Sequence, residues 1–319
     1  MGAFMVSEPN TDSVDISQSN VWIDLSHDGI IRVEGKDALS FLQGQLTCDV
    51  REVTSDQSRL GAWCTAKGRV KVIFRVIFRK DGFELALPAE LVKNTLSELR
   101  QYIFQSKVTL AEVSDKVVRI GCAGHTIKTA LQNLFSNLPE GRDQVIQQDG
   151  LVLLRRKGIL PTFEMWGEVE NVKKAWEALK PHATPVDLYH WSILEVLSGV
   201  PIITQATTED FSPHMLNLPE LDAVSFRKGC YVGQEIVART QYLGKSKRRL
   251  YLASVKGTPR PGDLLWVPGA EESAAGRVVN VAPFEEGECW VLVVHSSETP
   301  QVGVRLGNQE GPELVFQQT

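Results

Sequence analysis

The texture of the chain changes between residues 244 and 249, and that change limits the folds open to it. Upstream, segments with strand and helix periodicity alternate. Downstream come only short strands, Leu250–Val255, Asp263–Val267, Gly276–Val281, Cys289–His295 and Pro312–Phe316. They are punctuated by Pro259, Pro261, Gly262, Pro268, Gly269, Pro283 and Gly287, with no convincing helix. Short strands with frequent Pro/Gly turns predict a small β-barrel over residues 246–319.

The upstream part reads differently. Gly29–Val33 is a strand, followed by a helix from Asp37 that Gly44 closes. Arg59 to Phe78 is strand-like throughout. From Arg69 onward Val70, Val72, Phe74, Val76 and Phe78 point one way and Arg69, Lys71, Arg75 and Arg79 the other. A strand with one basic face either edges a solvated sheet or lines a cavity for an anion. Gly82–Leu87 is a strand, and Pro88 opens a helix with Leu91, Val92, Thr95, Leu96, Leu99, Tyr102 and Ile103 on one face. Further strands are expected at Lys107–Val113, Val117–Cys122, Leu151–Arg155 and Thr162–Trp166, and further helices at Thr126–Phe135, Val169–Leu179 and Asp187–Ser198. The last carries Leu188, Trp191, Leu194 and Leu197 as an apolar stripe, where pattern alone favours a core place for Trp191 over a ligand platform. Strand pairs lie close together in sequence, which favours antiparallel α+β sheets of ferredoxin-like type over a doubly wound fold.

With 319 residues, 43% of them hydrophobic and 23% charged, the chain suits a soluble globular protein of two or three domains. No apolar run is long enough to cross a bilayer. Residues 1–18 carry no basic and apolar secretory pattern and are expected to fray. Cys48, Cys64, Cys122, Cys230 and Cys289 are scattered, without Cys-x-x-Cys spacing, so neither a disulfide framework nor a zinc knuckle is expected. A resident iron–sulfur cluster normally needs four thiolates, so no metal site is expected either. Reduced thiols point to the cytoplasm.

Cys230 stands apart. Arg227 and Lys228 precede it, and nearby cations favour the thiolate. Gly229 and Gly233 bracket it, allowing a tight turn, and Gln234-Glu235-Ile236-Val237-Ala238-Arg239 can begin a helix whose free N–H groups favour the anion further. A thiolate attacks electrophiles or holds soft metals. The bland alternative is an inert cysteine in a Gly-bounded turn. Between Ala223 and Arg249 seven cations face one anion, Glu235; this stretch carries +6, so the remainder carries −11 to reach the overall −5. Such a patch in an acidic chain suits a small or local anion, not bulk coating of nucleic acid. Gly244-Lys245-Ser246 resembles the end of a phosphate-binding loop, but position 239 is Arg where that motif needs Gly.

Lys228-Gly-Cys-Tyr-Val-Gly-Gln-Glu235, followed by Ile236-Val-Ala-Arg239, resembles the signature of the YgfZ family of folate-binding proteins, which includes iron–sulfur cluster assembly factors and is related to the T-protein of the glycine cleavage system. Gly35 to Asp49, Ala66-Lys-Gly-Arg69 and Phe211-Ser-Pro-His-Met-Leu-Asn-Leu218 fit as well. The resemblance implies an α+β fold: two interlocked domains of T-protein type over residues 19–245, plus the C-terminal barrel. It implies tetrahydrofolate, or another reduced folate, as ligand, contacted by Trp191, Asn217, Tyr231, Gln234, Glu235 and Arg239. Cys230 becomes the reactive residue and Lys228 its activating neighbour. It further implies support of iron–sulfur client or assembly proteins, including enzymes that thiolate tRNA.

Two departures from the T-protein stand out. Gly68 to Phe74, where its catalytic carboxylate lies, contains no acid. Its pterin-binding glutamate falls on Leu197, with Glu195 displaced by two residues. A folate-dependent one-carbon transferase using Cys230 as nucleophile is the second reading. The third is an interaction protein that kept the fold without the chemistry.

Overall fold

The computed structural model describes residues 14–15, 18–244, 246–267, 276–284, 287–299 and 301–317. The stretch 1–18, expected to fray, lies almost wholly outside the described residues, as does Lys245 of the basic segment. In chain order the elements are β1 Val21–Asp24, β2 Asp28–Glu34, α1 Ala38–Gln45, β3 Arg59–Cys64, β4 Val70–Arg79, β5 Gly82–Pro88, α2 Ala89–Arg100, β6 Thr109–Glu112 and β7 Val117–Ala123. They continue with α3 Ile127–Leu131, β8 Val145–Gln148, β9 Leu151–Arg155, β10 Thr162–Glu168, α4 Val169–Leu179, β11 Thr184–Val186, α5 Leu188–Leu197 and α6 Gln234–Leu243. The last are β12 Arg248–Lys256, β13 Leu265–Trp266, β14 Gly276–Pro283, β15 Glu288–Ser296, β16 Arg305–Leu306 and β17 Val315–Phe316.

The chain forms two compact units. One gathers the described residues up to Phe41, Val50–Arg59 and Arg75–Leu194; the other gathers Leu42–Asp49, Leu60–Phe74 and the described residues from Glu195 on. The first unit contains a six-stranded sheet in the order β11-β1-β7-β10-β9-β8, antiparallel except where β1 runs parallel to β11. Helix α4 buries Val172, Ala175, Trp176 and Leu179. These join Trp22, Ile120, Phe163 and Met165 in one apolar core. That is what a helical stripe and a two-residue strand period produce when one sheet face is covered.

A five-stranded sheet follows the order β3-β4-β5-β2-β6. Two expectations change here. The segment from Arg59 to Phe78 is broken by a turn at Thr65–Arg69 into two strands. Its second strand lies inside the sheet and not at an edge, and its cations are spent on partners. Arg75 is buried against Asp143 at 2.6 Å, Lys71 stands 3.8 Å from Glu209, and Arg69 donates to the carbonyl of Asp210 at 2.8 Å. A buried guanidinium needs such a partner, because desolvating it alone is costly.

In the chain beyond Gly244 the regular elements among the described residues are all β-strands, as expected. Among the described residues its hydrogen bonds form a four-stranded sheet, β14-β15-β12-β17, and a two-stranded one, β13-β16, and do not close into a barrel. Ala253, Val255, Val278, Val291 and Val293 fill its core.

Candidate functional site

Four stretches far apart in sequence meet at the segments that flank Cys230 in the second unit. The ammonium of Lys228 donates to the carbonyls of Leu46 and Cys48, each at 2.7 Å, just after α1. Between those carbonyls, Thr47 accepts the Ser225 N–H on its own carbonyl at 2.9 Å. Its hydroxyl donates to the Ala223 carbonyl at 2.6 Å and accepts the Ala62 N–H at 2.8 Å. The turn between β3 and β4 is closed by Thr65 N–H to Arg69 carbonyl at 2.8 Å, and Val70 N–H reaches the Phe211 carbonyl at 2.8 Å. Gly233 sits against this turn with φ at +82°; a Cβ there would strike the Thr65 carbonyl and lie 3.2 Å from the Gly68 Cα. Only glycine tolerates both the left-handed backbone and that approach.

Cys230 is exposed, whereas Cys48, Cys64, Cys122 and Cys289 are buried. Burial pushes the Cys64 thiol up to about 12 and raises Cys122 and Cys289 too. Helix α6 starts at Gln234 directly after Gly233, as the sequence predicts. Lys228 is itself buried, with 6% of its surface exposed, and its ammonium lies 5.2 Å from the centre of the Tyr231 ring. Its place is therefore that of a clamp on two backbone carbonyls. Tyr231 is buried as well, and its hydroxyl has no hydrogen-bond partner. Burial first, then the nearby Cys64, raises the pKa of that phenol. Gln45, at the end of α1, is 8% exposed and its side-chain oxygen also lacks a partner. Buried polar atoms are seldom left unpaired without a water, a ligand or a function to explain them.

The remaining expected contacts divide. Gln234 donates its N–H to the Tyr231 carbonyl at 3.1 Å, and Glu235 pairs with Arg239 at 3.0 Å on the exposed side of α6. Asn217, at φ +52°, spends its amide on β12: Nδ2 donates to the Leu250 carbonyl at 2.9 Å, and Oδ1 accepts the Leu250 N–H at 3.4 Å. Trp191 belongs to the core of the first unit. It is 3% exposed, a Cβ on Gly121 would stand 2.5 Å from its ring, and the Arg156 guanidinium is 5.6 Å from the ring centre. This indole does not offer an open face for stacking. Sequence reading missed Gln45 and Thr47, although both lie inside the Gly35–Asp49 stretch that carried part of the resemblance. Among the described residues no group of three or more His, Cys, Asp or Glu is placed to hold a metal ion, and no helix is long and apolar enough to cross a membrane.

The fold is that of the glycine cleavage T-protein. The structure of glycine cleavage system aminomethyltransferase T from Bartonella henselae superposes with a TM-score of 0.76, covering 95% of this chain and 86% of that one at 17% identity. Residues 10–144 match the family described as the GCVT N-terminal domain. Curated relatives set the chain more narrowly. It is 34% identical over 279 residues to the tRNA-modifying protein YgfZ of Yersinia pseudotuberculosis serotype O:1b (strain IP 31758), covering 86% of this chain and 84% of the relative. It is 36% identical over 302 residues to that of Colwellia psychrerythraea (strain 34H / ATCC BAA-681), covering 93% and 91%. The chain belongs to the YgfZ family.

Proposed function

We propose that this protein binds a reduced folate in the cytoplasm and supports tRNA modification, acting through Cys230 in the assembly or repair of iron–sulfur clusters in client enzymes. The observation that carries the reading is the exposed Cys230 on a loop clamped at both flanks, beside four cysteines that are buried. The relatives' name speaks for tRNA modification. The fold speaks for folate, and the unpartnered Tyr231 hydroxyl and Gln45 oxygen suit a ligand rich in amide and ring N–H groups, as a reduced folate is. Those two residues, with Gln234, would hold it; Trp191 fits that role poorly. When bound, the folate would supply or accept one-carbon units. The chain's own part is to present the thiol of Cys230, which would ligate iron as a thiolate, or take a sulfur atom from a persulfide donor that leaves as its thiolate, as cargo and not as a resident group.

The test is a deletion strain scored for iron–sulfur enzyme activities and for thiolated tRNA bases. Both should fall, both should return with the wild-type gene, and neither with Cys230→Ser. Normal values of both in the deletion strain would end this reading. No acid occurs from Gly68 to Phe74, which speaks against the one-carbon transferase.

A further inference from the structure

The basic segment singled out in the sequence ends at a pocket that the Cys230 loop does not use. A cavity of about 700 Å³ in the second unit is lined at the C-terminal end of α6 by Thr240, Gln241 and Gly244, and at the start of β12 by Lys247 and Arg249. That volume is in the range of small-molecule sites. Its walls are fixed by hydroxyls bonded to backbone. Thr240 donates to the Ile236 carbonyl at 3.0 Å, Ser246 to that of Arg248 at 2.6 Å, and Ser297 to that of Lys247 at 3.2 Å. The Gln241 oxygen is engaged by His214 Nε2 at 3.1 Å, which leaves the Gln241 NH₂ as a donor. The ligand-facing donors are thus one ammonium, one guanidinium and one amide.

Two carboxylates on the lining offset the charge: Glu220 pairs with Arg249, and Glu298 with Lys247 at 3.2 Å. All four side chains are about half exposed or more. Ion pairs at such exposure hold weakly and exchange readily for a better partner. A phosphate carries more charge and three oxygens, and it can take the planar fork of Arg249 in a bidentate contact. Beyond the pocket the same segment adds Arg227, Arg248 and Arg239, the last paired with Glu235, so the stretch as a whole is basic while the lining itself is charge-balanced. Tyr242, next to Gln241 on α6 and largely exposed, stands edge-on to Phe226 at 6.1 Å and leaves an aromatic ring open to solvent on the same turn of helix. Cations with an adjoining aromatic ring are the elements that take up a phosphate with an attached base.

We propose that this pocket binds a nucleoside phosphate, its phosphate held by Arg249, Lys247 and the Gln241 amide. The ligand is either a free mononucleotide or one unit of a single-stranded RNA. The proposal stands independently of folate and of Cys230.

The full-length protein is titrated with AMP and with adenosine by calorimetry, and with a fluorescein-labelled eight-nucleotide oligouridylate by anisotropy. AMP should bind and adenosine should bind at least tenfold more weakly. Lys247→Glu combined with Arg249→Glu should lower nucleotide affinity at least tenfold with an unchanged circular dichroism spectrum. Arg249→Lys, which keeps the charge and loses the fork, should lower it several-fold and guards against misfolding of the double variant. RNA binding tighter than AMP, with log K falling against log salt at a slope of about −0.7 for the one phosphate held, identifies RNA as the source. Equal affinities identify the free nucleotide. Absence of binding to AMP and RNA alike, or binding indifferent to Lys247 and Arg249, overturns the proposal.

Discussion

Lys228, two residues before Cys230, is tied to backbone and not left free beside the thiol. Two of its three ammonium donors are committed to the carbonyls of Leu46 and Cys48, which the sequence could not reveal, because the partners lie 182 and 180 residues away. Lys228→Met keeps the length and removes the donors, leaving two buried carbonyls without them. A lost bond from a charged donor together with an unsatisfied acceptor costs about 1–3 kcal/mol at each carbonyl, so the variant should lose roughly 2–6 kcal/mol of stability in urea melts. Pulse alkylation near neutral pH, read by peptide mass spectrometry, should label Cys230 first in the wild type, since Cys64 is both buried and pushed up to about 12. In Lys228→Met, Cys48 should become labelled as well, as its segment loosens. Unchanged stability with only slower labelling of Cys230 would instead make Lys228 an electrostatic activator. Trp191 teaches a related lesson. Its helical spacing indicated core, and the structure packs it against Gly121 and Arg156. Trp191→Ala should therefore cost about 3–5 kcal/mol, as large-to-small core changes do. Trp191→Phe should keep most of the stability and leave calorimetric folate binding unaltered.

Helix α6 and the β3–β4 turn depend on one glycine. The backbone of Gly233 is left-handed and closely approached by the Thr65 carbonyl, so Gly233→Ala combines an unfavourable φ with a collision. The conformational part alone is about 1–2 kcal/mol. The variant should be destabilised by more than that, with the Cys230 loop losing hydrogen-exchange protection before the sheets do. The sequence showed where this helix begins, because a glycine followed by good helix formers is a local signal. It also showed α4 and β9 with the observed boundaries, since strong periodicity and burial agree there. It did not show β1, β8 or β11, three or four residues each. β1 and β11 are strands only because the neighbours that complete their hydrogen bonds are distant in sequence, whereas β8 pairs with the adjacent β9 and is too short, with Gln147 and Gln148 at its end, to show a period of its own. The loop around Cys230 was legible for the same reason as α6, through local residue types. The clamp behind it was not.

The acid sensitivity of the folded chain should centre on a buried charge network in the first unit. Glu164, fully buried on β10, accepts from Arg119 at 2.9 Å, from Trp166 Nε1 at 2.9 Å and from Arg156; Arg119 also pairs with Asp28 at 2.6 Å. Burial alone would raise the Glu164 pKa. Arg119, Arg156 and Arg75 outweigh it and hold the carboxyl down to about 2. An unfolded glutamate titrates near 4.3. A carboxyl with a depressed folded pKa binds fewer protons in the native state, so its contribution is complete above the unfolded value and is lost as pH falls through the folded one. From that gap the contribution is on the order of 3 kcal/mol. Glu164→Gln should consequently be much less stable than wild type at pH 7, with Arg119 and Arg156 left facing a neutral amide. The difference between the two proteins in urea melts should stay level down to about pH 5 and shrink steadily towards pH 2. A difference that does not change with pH would mean that the network stabilises by packing and hydrogen-bond geometry, with the charge on Glu164 contributing nothing.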